Sequence, residues 1–235
     1  MSVSTAIGQQ NRTRGKEPAT FGRLAGTGGL VFAATLLAQN IIRASAPGFD
    51  ATPAQVTAYF LHHRAAALVP LGLFPVEMIA LFAFVAAMWT MAADREQSRW
   101  WAGVGMLGAA AIAALFAIVN ITEIVLTAKA GRLDGSPAVV QALWALHAAA
   151  FGLDLAAIAV ALIGLSYAAA LVRLIPGWLT VAAWPGAACL LTTAVFTVAL
   201  ANGGPWLVVG LAGFAIWLLF VIIASVSLLR ERPIP

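Results

Sequence analysis

Three acidic side chains, Glu77, Glu123 and Asp154, lie within long apolar stretches of the sequence. An ionisable group in such a stretch is costly to place in lipid, so it usually faces a bundle interior or a water-filled cavity. There it can hold a proton or a cation. The other six carboxylates fall in segments that we expect to be tails or loops: Glu17, Asp50, Asp94, Glu96, Asp134 and Glu231. We therefore take Glu77 and Asp154 as the main candidates for a cation or proton site.

The stretch VNITEIVLT, residues 119–127, ends one of these apolar segments with three polar side chains. Asn120, Glu123 and Thr127 are spaced by three and four residues, so they share one face of a helix. We interpret this face as one wall of a polar vestibule that opens outward.

The three histidines are candidates for the same site. His147 precedes Asp154 by seven residues, which places both side chains on one face of a helix. His62 and His63 end a short polar segment before the next apolar stretch, where they are expected to form a lid over the vestibule. Neighbours on a helix point apart, and no HxxE, HExxH or ExxH spacing occurs in the sequence, so support for a metal site is weak. The sequence specifies no cofactor.

A structural interpretation of the same residues stays open beside the functional one. Glu123 and His147 are also explained as interfacial residues that reach water, and for these two we favour that explanation. Glu77 and Asp154 are also explained as protonated groups that hydrogen-bond to the backbone or to Asn120 and join helices. For these two acids we give the structural and the functional interpretation equal weight, because burying a carboxylate in the membrane costs free energy.

Composition defines the elements that must position these residues. Of the 235 residues, 62% are hydrophobic and only 9% are charged, whereas water-soluble domains carry about a quarter charged residues. A hydrocarbon core of ~30 Å takes about 20 apolar helical residues to cross. Six runs are long enough: Phe21–Ile42, Ala65–Ala92, Trp100–Thr127, Pro137–Val172, Pro176–Ala201 and Pro205–Leu229. We therefore predict an all-α polytopic membrane protein, a six-transmembrane-helix bundle.

Shorter segments complete the predicted organisation. Residues 1–20 are expected to form a disordered tail and residues 231–235 a second, short tail. Residues 53–64 are too polar to span a membrane and predict a short helix on the outer surface. Either Asp50 or Thr52 is expected to cap this helix.

Two internal signals concern helix packing. Residues 103–108, GVGMLG, match a dinucleotide-binding fingerprint. They lie inside an apolar run without the strand that this fingerprint requires, so we interpret them as small residues that allow close helix contact. Pro185 lies within the fifth run and predicts a kink there.

The depth of each acid follows from counting about 20 residues back from the inner end of its span. Glu77 and Asp154 then lie ~10 Å and ~9 Å below the outer edge of the membrane, at 1.5 Å per residue. Glu123 falls at the outer edge itself. By this count no Lys or Arg shares the interior with them. We expect the acids to be protonated, hydrated, paired with His147 or occupied by a cation.

The basic residues set the orientation and the partners. Nine of the 13 Lys and Arg residues fall on the side that holds both termini, which predicts cytoplasmic termini. Abundant Ala and Arg suggest a bacterial genome, and hence the bacterial inner membrane. The sequence pI near 10.0 comes without a basic patch interleaved with aromatics, so nucleic acid is excluded as a partner. The expected partners are the lipid bilayer and either a second copy of the chain or a larger membrane complex.

Three short pieces of sequence carry a resemblance to known proteins. They are RLIPGWLTVAAW at residues 173–184, AIWLLFVIIASVSLLR at residues 215–230, and FLHHRAAAL at residues 60–68. In these pieces the chain resembles a broad group of six-span bacterial membrane proteins that carry a domain of unknown function, loosely over residues 50–232. The resemblance implies a six-helix bundle and no particular activity.

Three functions are compatible with this sequence. The first is a small permease or a cation- or proton-coupled transporter subunit with an outward-facing acidic cavity. The second is a non-catalytic membrane scaffold or partner subunit, which suits the small loops. The third, a lipid- or quinone-linked membrane enzyme, ranks last because no catalytic motif supports it.

Overall fold

The computed structural model describes residues 18–133 and 135–230. The predicted tails, residues 1–20 and 231–235, lie outside these ranges except for residues 18–20, which begin the first helix. Every regular element in the described ranges is helical. The helices are α1 (Pro18–Arg43), α2 (Pro53–His62), α3 (Arg64–Ala92), α4 (Glu96–Leu133), α5 (Pro137–Leu171), α6 (Gly177–Val195), α7 (Thr197–Ala201) and α8 (Trp206–Arg230).

Six of these helices, α1, α3, α4, α5, α6 and α8, are long and apolar enough to cross a membrane. This confirms the predicted all-α bundle of six transmembrane helices. The short helix predicted over residues 53–64 is α2, which has 10 residues and is ~15 Å long at 1.5 Å per residue. It is too short to cross the bilayer, and it packs across α4 and α5 at the end of the bundle where α1 ends. We refer to this as the α2 end.

The six long helices form a closed ring. Each contacts the next along the chain, and α8 returns to contact α1. α5 also contacts α3 and α8 across the middle of the ring. As a result, 67% of the most apolar window of α5 is buried, against 33–39% for the other five helices. The remaining exposed apolar faces are the surface that lipid covers.

Small residues bring helices into close contact at two places in this ring. A Cβ atom at Gly108 of α4 would lie 2.5 Å from the backbone nitrogen of Ala161 in α5. The interpretation of residues 103–108 as a close-contact surface is therefore confirmed. On the other side, a Cβ atom at Gly26 of α1 would lie 2.6 Å from the carbonyl oxygen of Ser225 in α8. That contact closes the ring at the end opposite α2.

The fifth span differs from its prediction. It was expected to run unbroken over Pro176–Ala201 with a kink at Pro185, but α6 continues past Pro185 and ends at Val195. Phe196 then leaves the helical geometry with φ −92° and ψ 24°. Its ring stacks on Trp206 at 3.9 Å between centroids, so a tertiary contact accompanies the interruption before α7.

The capping of α2 is also settled by local geometry. Of the two candidates, Thr52 is the N-cap and Asp50 is not. The Thr52 hydroxyl accepts a hydrogen bond from the backbone N–H of Gln55 at 3.4 Å, and the Thr52 N–H donates to Gln55 Oε1 at 2.9 Å. This reciprocal pair satisfies two backbone donors that the start of a helix leaves free. It fixes the point at which the chain turns from the α1–α2 loop into α2.

Candidate functional site

The central feature of the bundle interior is an ion pair between Arg43 and Glu123. Arg43 Nε donates to Glu123 Oε1 at 2.9 Å, and Arg43 Nη2 donates to Glu123 Oε2 at 2.8 Å. This two-point geometry is the strongest form of an arginine–carboxylate contact. Only 17% of the Arg43 side chain and 8% of the Glu123 side chain are exposed. The pair ties α1 to α4 at the α2 end.

Two further contacts fix the guanidinium of Arg43. Nη2 also donates to Asn120 Oδ1 at 3.2 Å, and the guanidinium carbon lies 5.1 Å from the ring centre of Phe116. Asn120 in turn donates to the carbonyl oxygen of Phe116 at 2.8 Å. The hydrogen bond to its own helix thus orients the Asn120 amide so that its oxygen can accept a hydrogen bond from Arg43.

Gln39 connects this ion pair to Glu77. Its side-chain oxygen accepts from Arg43 Nη1, and its side-chain nitrogen donates to Glu77 Oε2. The amide has one possible orientation, because a guanidinium only donates and must therefore meet the amide oxygen. Gln39 is fully buried. It therefore links α1 to α3 and extends the polar chain one step deeper into the bundle.

Glu77 and Asp154 line one cavity inside the ring. Glu77 is 1% exposed and Asp154 is 6% exposed. Within the described part of the chain, Glu77 Oε1 and Asp154 Oδ1 have no hydrogen-bond partner. Buried polar atoms are nearly always paired, so two unpaired acid oxygens on residues that line one cavity are a signal of a ligand or of water.

The cavity is less polar than the predicted vestibule. Helices α1, α3, α4, α5 and α8 all contribute to its wall, and apart from the two acids and Asn40 the lining is apolar or aromatic. Its empty space, mouth included, is about 560 Å³, and about 40 Å³ is open to the centres of water molecules. The latter is room for roughly three waters at ~10–15 Å³ each. The lining also includes the fully buried Trp217, whose indole N–H is unpaired among residues 18–133 and 135–230.

The expectation that no basic residue enters the interior was wrong. Arg43 lies just beyond the first predicted span, Phe21–Ile42, but it is the last residue of α1 and its side chain turns inward to Glu123. The physical reason is that Glu123 and Asn120 on α4 offer it three acceptor oxygens at the same level. Glu77 and Asp154 keep no direct ion pair in the described ranges, since Arg43 is bound to Glu123.

None of the residues of the predicted polar wall, Asn120, Glu123 and Thr127, is among the described residues that line the cavity of the two acids. Thr127 is buried beyond Glu123 toward the α2 end. His147 does not pair with Asp154. Its Nδ1 lies 3.3 Å from the hydroxyl of Thr122 in α4, and its ring stacks on Trp144 at 4.5 Å between centroids. His147 is thus part of the packing between α4 and α5.

The two histidines expected to form a lid are exposed. His63 stacks on Tyr59 with a centroid separation of 5.0 Å. A second, smaller recess at the α2 end is lined by Tyr59 and Phe60 together with Arg43 and Glu123. In the part of the chain that the structure describes, neither His62 nor His63 lines this recess or the acid cavity. The side of the ion pair that faces α2 is covered by aromatic residues of α2.

The sequence interpretation missed Gln39 and Arg43, although a signal for both was present. They are four residues apart at the end of the first span, so they share a helix face. Trp217 was noted only as part of the resemblance. Its unpaired N–H depends on tertiary packing, and nothing in the sequence pattern indicates it.

Fold and site together define the chain as a multi-pass α-helical membrane protein with a buried acidic cavity. Among the described residues, no group of three or more His, Cys, Asp or Glu side chains is arranged to hold a metal ion. No protein family, curated protein or solved structure gives a significant match to the chain. The resemblance of residues 50–232 to six-span bacterial proteins stays a prediction.

Proposed function

We propose that the protein is a small permease, or a subunit of one, that couples transport to a proton or a cation. Glu77 and Asp154 form its binding site. The observation that carries the proposal is that these two buried carboxylates each keep one oxygen without a partner in the described ranges, and that both line one cavity.

Electrostatics support this assignment. A carboxylate is expensive to keep charged away from water, and two neighbouring carboxylates are more so. Arg43 compensates Glu123 and is occupied by it. A proton or a bound cation is therefore what relieves the cost at Glu77 and Asp154. A structural role for two protonated acids would instead place each free oxygen against a backbone or side-chain partner.

The space available separates the proposal from a quinone-linked enzyme. About 40 Å³ is open to the centres of water molecules, which is roughly three waters. That suits a proton, a small ion or a small hydrated group, and it is too little for a quinone ring in the same place. A scaffold gains nothing from two unpaired carboxylates, because they reduce its stability.

Orientation and assembly belong to the same proposal. We place the α2 end on the outside of a bacterial inner membrane, with both termini in the cytoplasm, on the basis of the nine-to-four bias of Lys and Arg. Transport by a six-span chain is completed by a second copy. Many transporters consist of two related halves with the binding site near their interface.

The test measures charge movement in proteoliposomes adsorbed on a solid-supported membrane. Rapid steps in pH, Na⁺ or K⁺ are applied to the wild type and to Glu77→Gln, Asp154→Asn and Asp94→Asn. Glu77→Gln keeps an acceptor for the Gln39 N–H, so the fold is expected to survive. Asp94 is an exposed carboxylate between α3 and α4 and serves as the matched control.

We expect at least one of the three steps to give a transient current in the wild type. The current disappears in both cavity variants and persists in Asp94→Asn. A folded wild-type protein that gives no current with any of the three ions would overturn the proposal and favour the scaffold. Equal currents in the wild type and the cavity variants would remove Glu77 and Asp154 from the site.

A further inference from the structure

Most of the wall of the acid cavity is aromatic or aliphatic. Five aromatic side chains line it: Phe32, Phe116, Phe151, Phe214 and Trp217. A site that handles only protons or metal ions does not need such a wall. It needs oxygen ligands or a file of water. The lining therefore points to a ligand with a hydrocarbon part.

Three residues of the cavity lining, Glu77, Asp154 and Trp217, carry a polar atom without a partner in the described ranges. Glu77 Oε1 and Asp154 Oδ1 are acceptors when ionised, and Trp217 Nε1 is a donor. All three atoms are buried and unpaired within the described residues. The other oxygen of Glu77 accepts from Gln39. Two acid residues of the cavity wall thus each carry one free oxygen in the described ranges.

Two free acid oxygens are a poor site for a metal cation. Calcium takes six to eight oxygen ligands, and magnesium requires an almost ideal octahedron. An ammonium group needs only hydrogen-bond acceptors, because it carries its own N–H donors. Aromatic rings also attract such a cation through their faces. Phe116 already does so, since the guanidinium of Arg43 lies 5.1 Å from its centre.

Helices α1 and α8 close the ring beside the cavity. These helices touch closely near Gly26 and Ser225, at the end opposite α2. Toward the α2 end both still line the cavity, through Asn40 of α1 and through Leu207 and Leu211 of α8. Leu211 is 52% exposed. The wall therefore reaches the outer face of the ring, which lipid covers.

We infer that the transported substrate is a small alkylammonium ion that enters laterally from the membrane between α1 and α8. Its ammonium group donates to Glu77 and Asp154, and its hydrocarbon part lies against the aromatic wall. This inference rests on the proposed function and names its cargo. When the ammonium binds, a carboxyl group releases a proton to water, so one positive charge replaces another and the exchange is balanced.

The available space restricts the length of the hydrocarbon part. The interior holds roughly three water molecules by the ~10–15 Å³ requirement, which accommodates an ammonium group with a short chain. A longer chain must extend past Leu211, which lines the cavity and is exposed at the outer face of the bundle, toward lipid. Primary and secondary amines suit the site, because they keep at least two N–H donors for the two acids.

The experiment measures binding of n-butylammonium to the purified full-length protein in lipid nanodiscs by isothermal titration calorimetry. n-Butanol, of similar shape and without charge, serves as the ligand control, and empty nanodiscs correct for partitioning into lipid. The protein variants are Asp154→Asn at the acid site and Leu211→Trp at the proposed lateral entrance. Val208→Trp is the matched control, since Val208 lies on the same helix, is 71% exposed and is not among the lining residues in the described ranges.

We expect saturable binding of n-butylammonium and none of n-butanol. Asp154→Asn should weaken binding at least about tenfold, because one of two charged acceptors is lost. Leu211→Trp should weaken or slow binding, whereas Val208→Trp should leave it unchanged.

The outcomes distinguish this inference from the function on which it rests. If n-butylammonium does not bind while the cavity variants still abolish the ion-induced current, the cargo is wrong and the permease stands. If butanol binds as well as butylammonium, the acids do not recognise the ligand and the inference fails. If neither binding nor current is observed in folded protein, both proposals fail.

Discussion

Replacing Arg43 tests whether the ion pair at the α2 end holds the bundle together. Arg43→Met removes the charge but keeps a long apolar side chain. Glu123, whose side chain is only 8% exposed, then has no guanidinium partner. Gln39 and Asn120 also lose the donor to their side-chain oxygens.

The magnitude follows from the depth of the pair. Breaking a buried ion pair by removing one partner costs about 3–5 kcal/mol, whereas an exposed pair contributes ~0–1 kcal/mol. Arg43 is 17% exposed, so we expect a loss of about 3 kcal/mol, at the low end of the buried range. In Arg43→Met/Glu123→Gln no uncompensated charge remains, and about 1–2 kcal/mol should return.

The assay is reversible unfolding in mixed micelles with increasing dodecyl sulfate, followed by helical circular dichroism. Arg64→Met is the matched control, because Arg64 is an exposed base at the same end of the bundle and should change stability by less than about 0.5 kcal/mol. The reasoning is refuted if Arg43→Met behaves like Arg64→Met, or if Arg43→Met/Glu123→Gln is no more stable than Arg43→Met.

Three further predictions concern packing, topology and capping. Gly108→Ala should cost about 1–3 kcal/mol in the same assay, because its Cβ meets the α5 backbone; Gly72→Ala, with no atom within 4 Å of its Cβ, should be neutral or stabilising, and equal effects would contradict the close contact. In a chain whose native cysteine is replaced, a membrane-impermeant thiol reagent applied outside cells should label Cys at Ser136 and spare Cys at Gln97; the reverse pattern would invert the topology. Thr52→Ala should speed hydrogen exchange throughout α2 by roughly fivefold, equivalent to the ~1 kcal/mol of a lost N-cap; unchanged exchange would show that tertiary contacts alone hold α2.

The number and type of helices were predictable because membrane spans are set by length and apolar composition. The ends were less predictable. α4 was expected to end at Thr127 but continues to Leu133. The charged residues Lys129 and Arg132 end the apolar run, but they do not end the helix, because a helix can extend beyond the lipid. The break at Phe196 is accompanied by stacking of its ring on Trp206 at the start of the next span, which the hydropathy of a single span does not reveal.

The candidate site was partly predictable for a similar reason. The depth count placed Glu77 and Asp154 at one level on neighbouring helices, and both do line one cavity. Arg43 was not predicted to turn inward, because the acceptors that attract it lie about 80 residues later in the sequence. The direction of a long side chain at a helix end is decided by what neighbouring helices present to it. Sequence spacing within one helix carries no such information.

Closure of the ring by α1 and α8 has a consequence for the biogenesis of the protein. α8 follows the other five described spans in the chain and so leaves the ribosome after them, yet it supplies five of the residues that line the acid cavity. Until it inserts, Glu77 and Asp154 lie behind an incomplete wall that the translocon or lipid must cover. During this stage, protonated Glu77 and Asp154 cost less free energy in the membrane than the charged carboxylates would. A nascent chain that stops before Trp206 therefore exposes both acids, and quality-control proteases that recognise polar groups in the bilayer have a defect to detect.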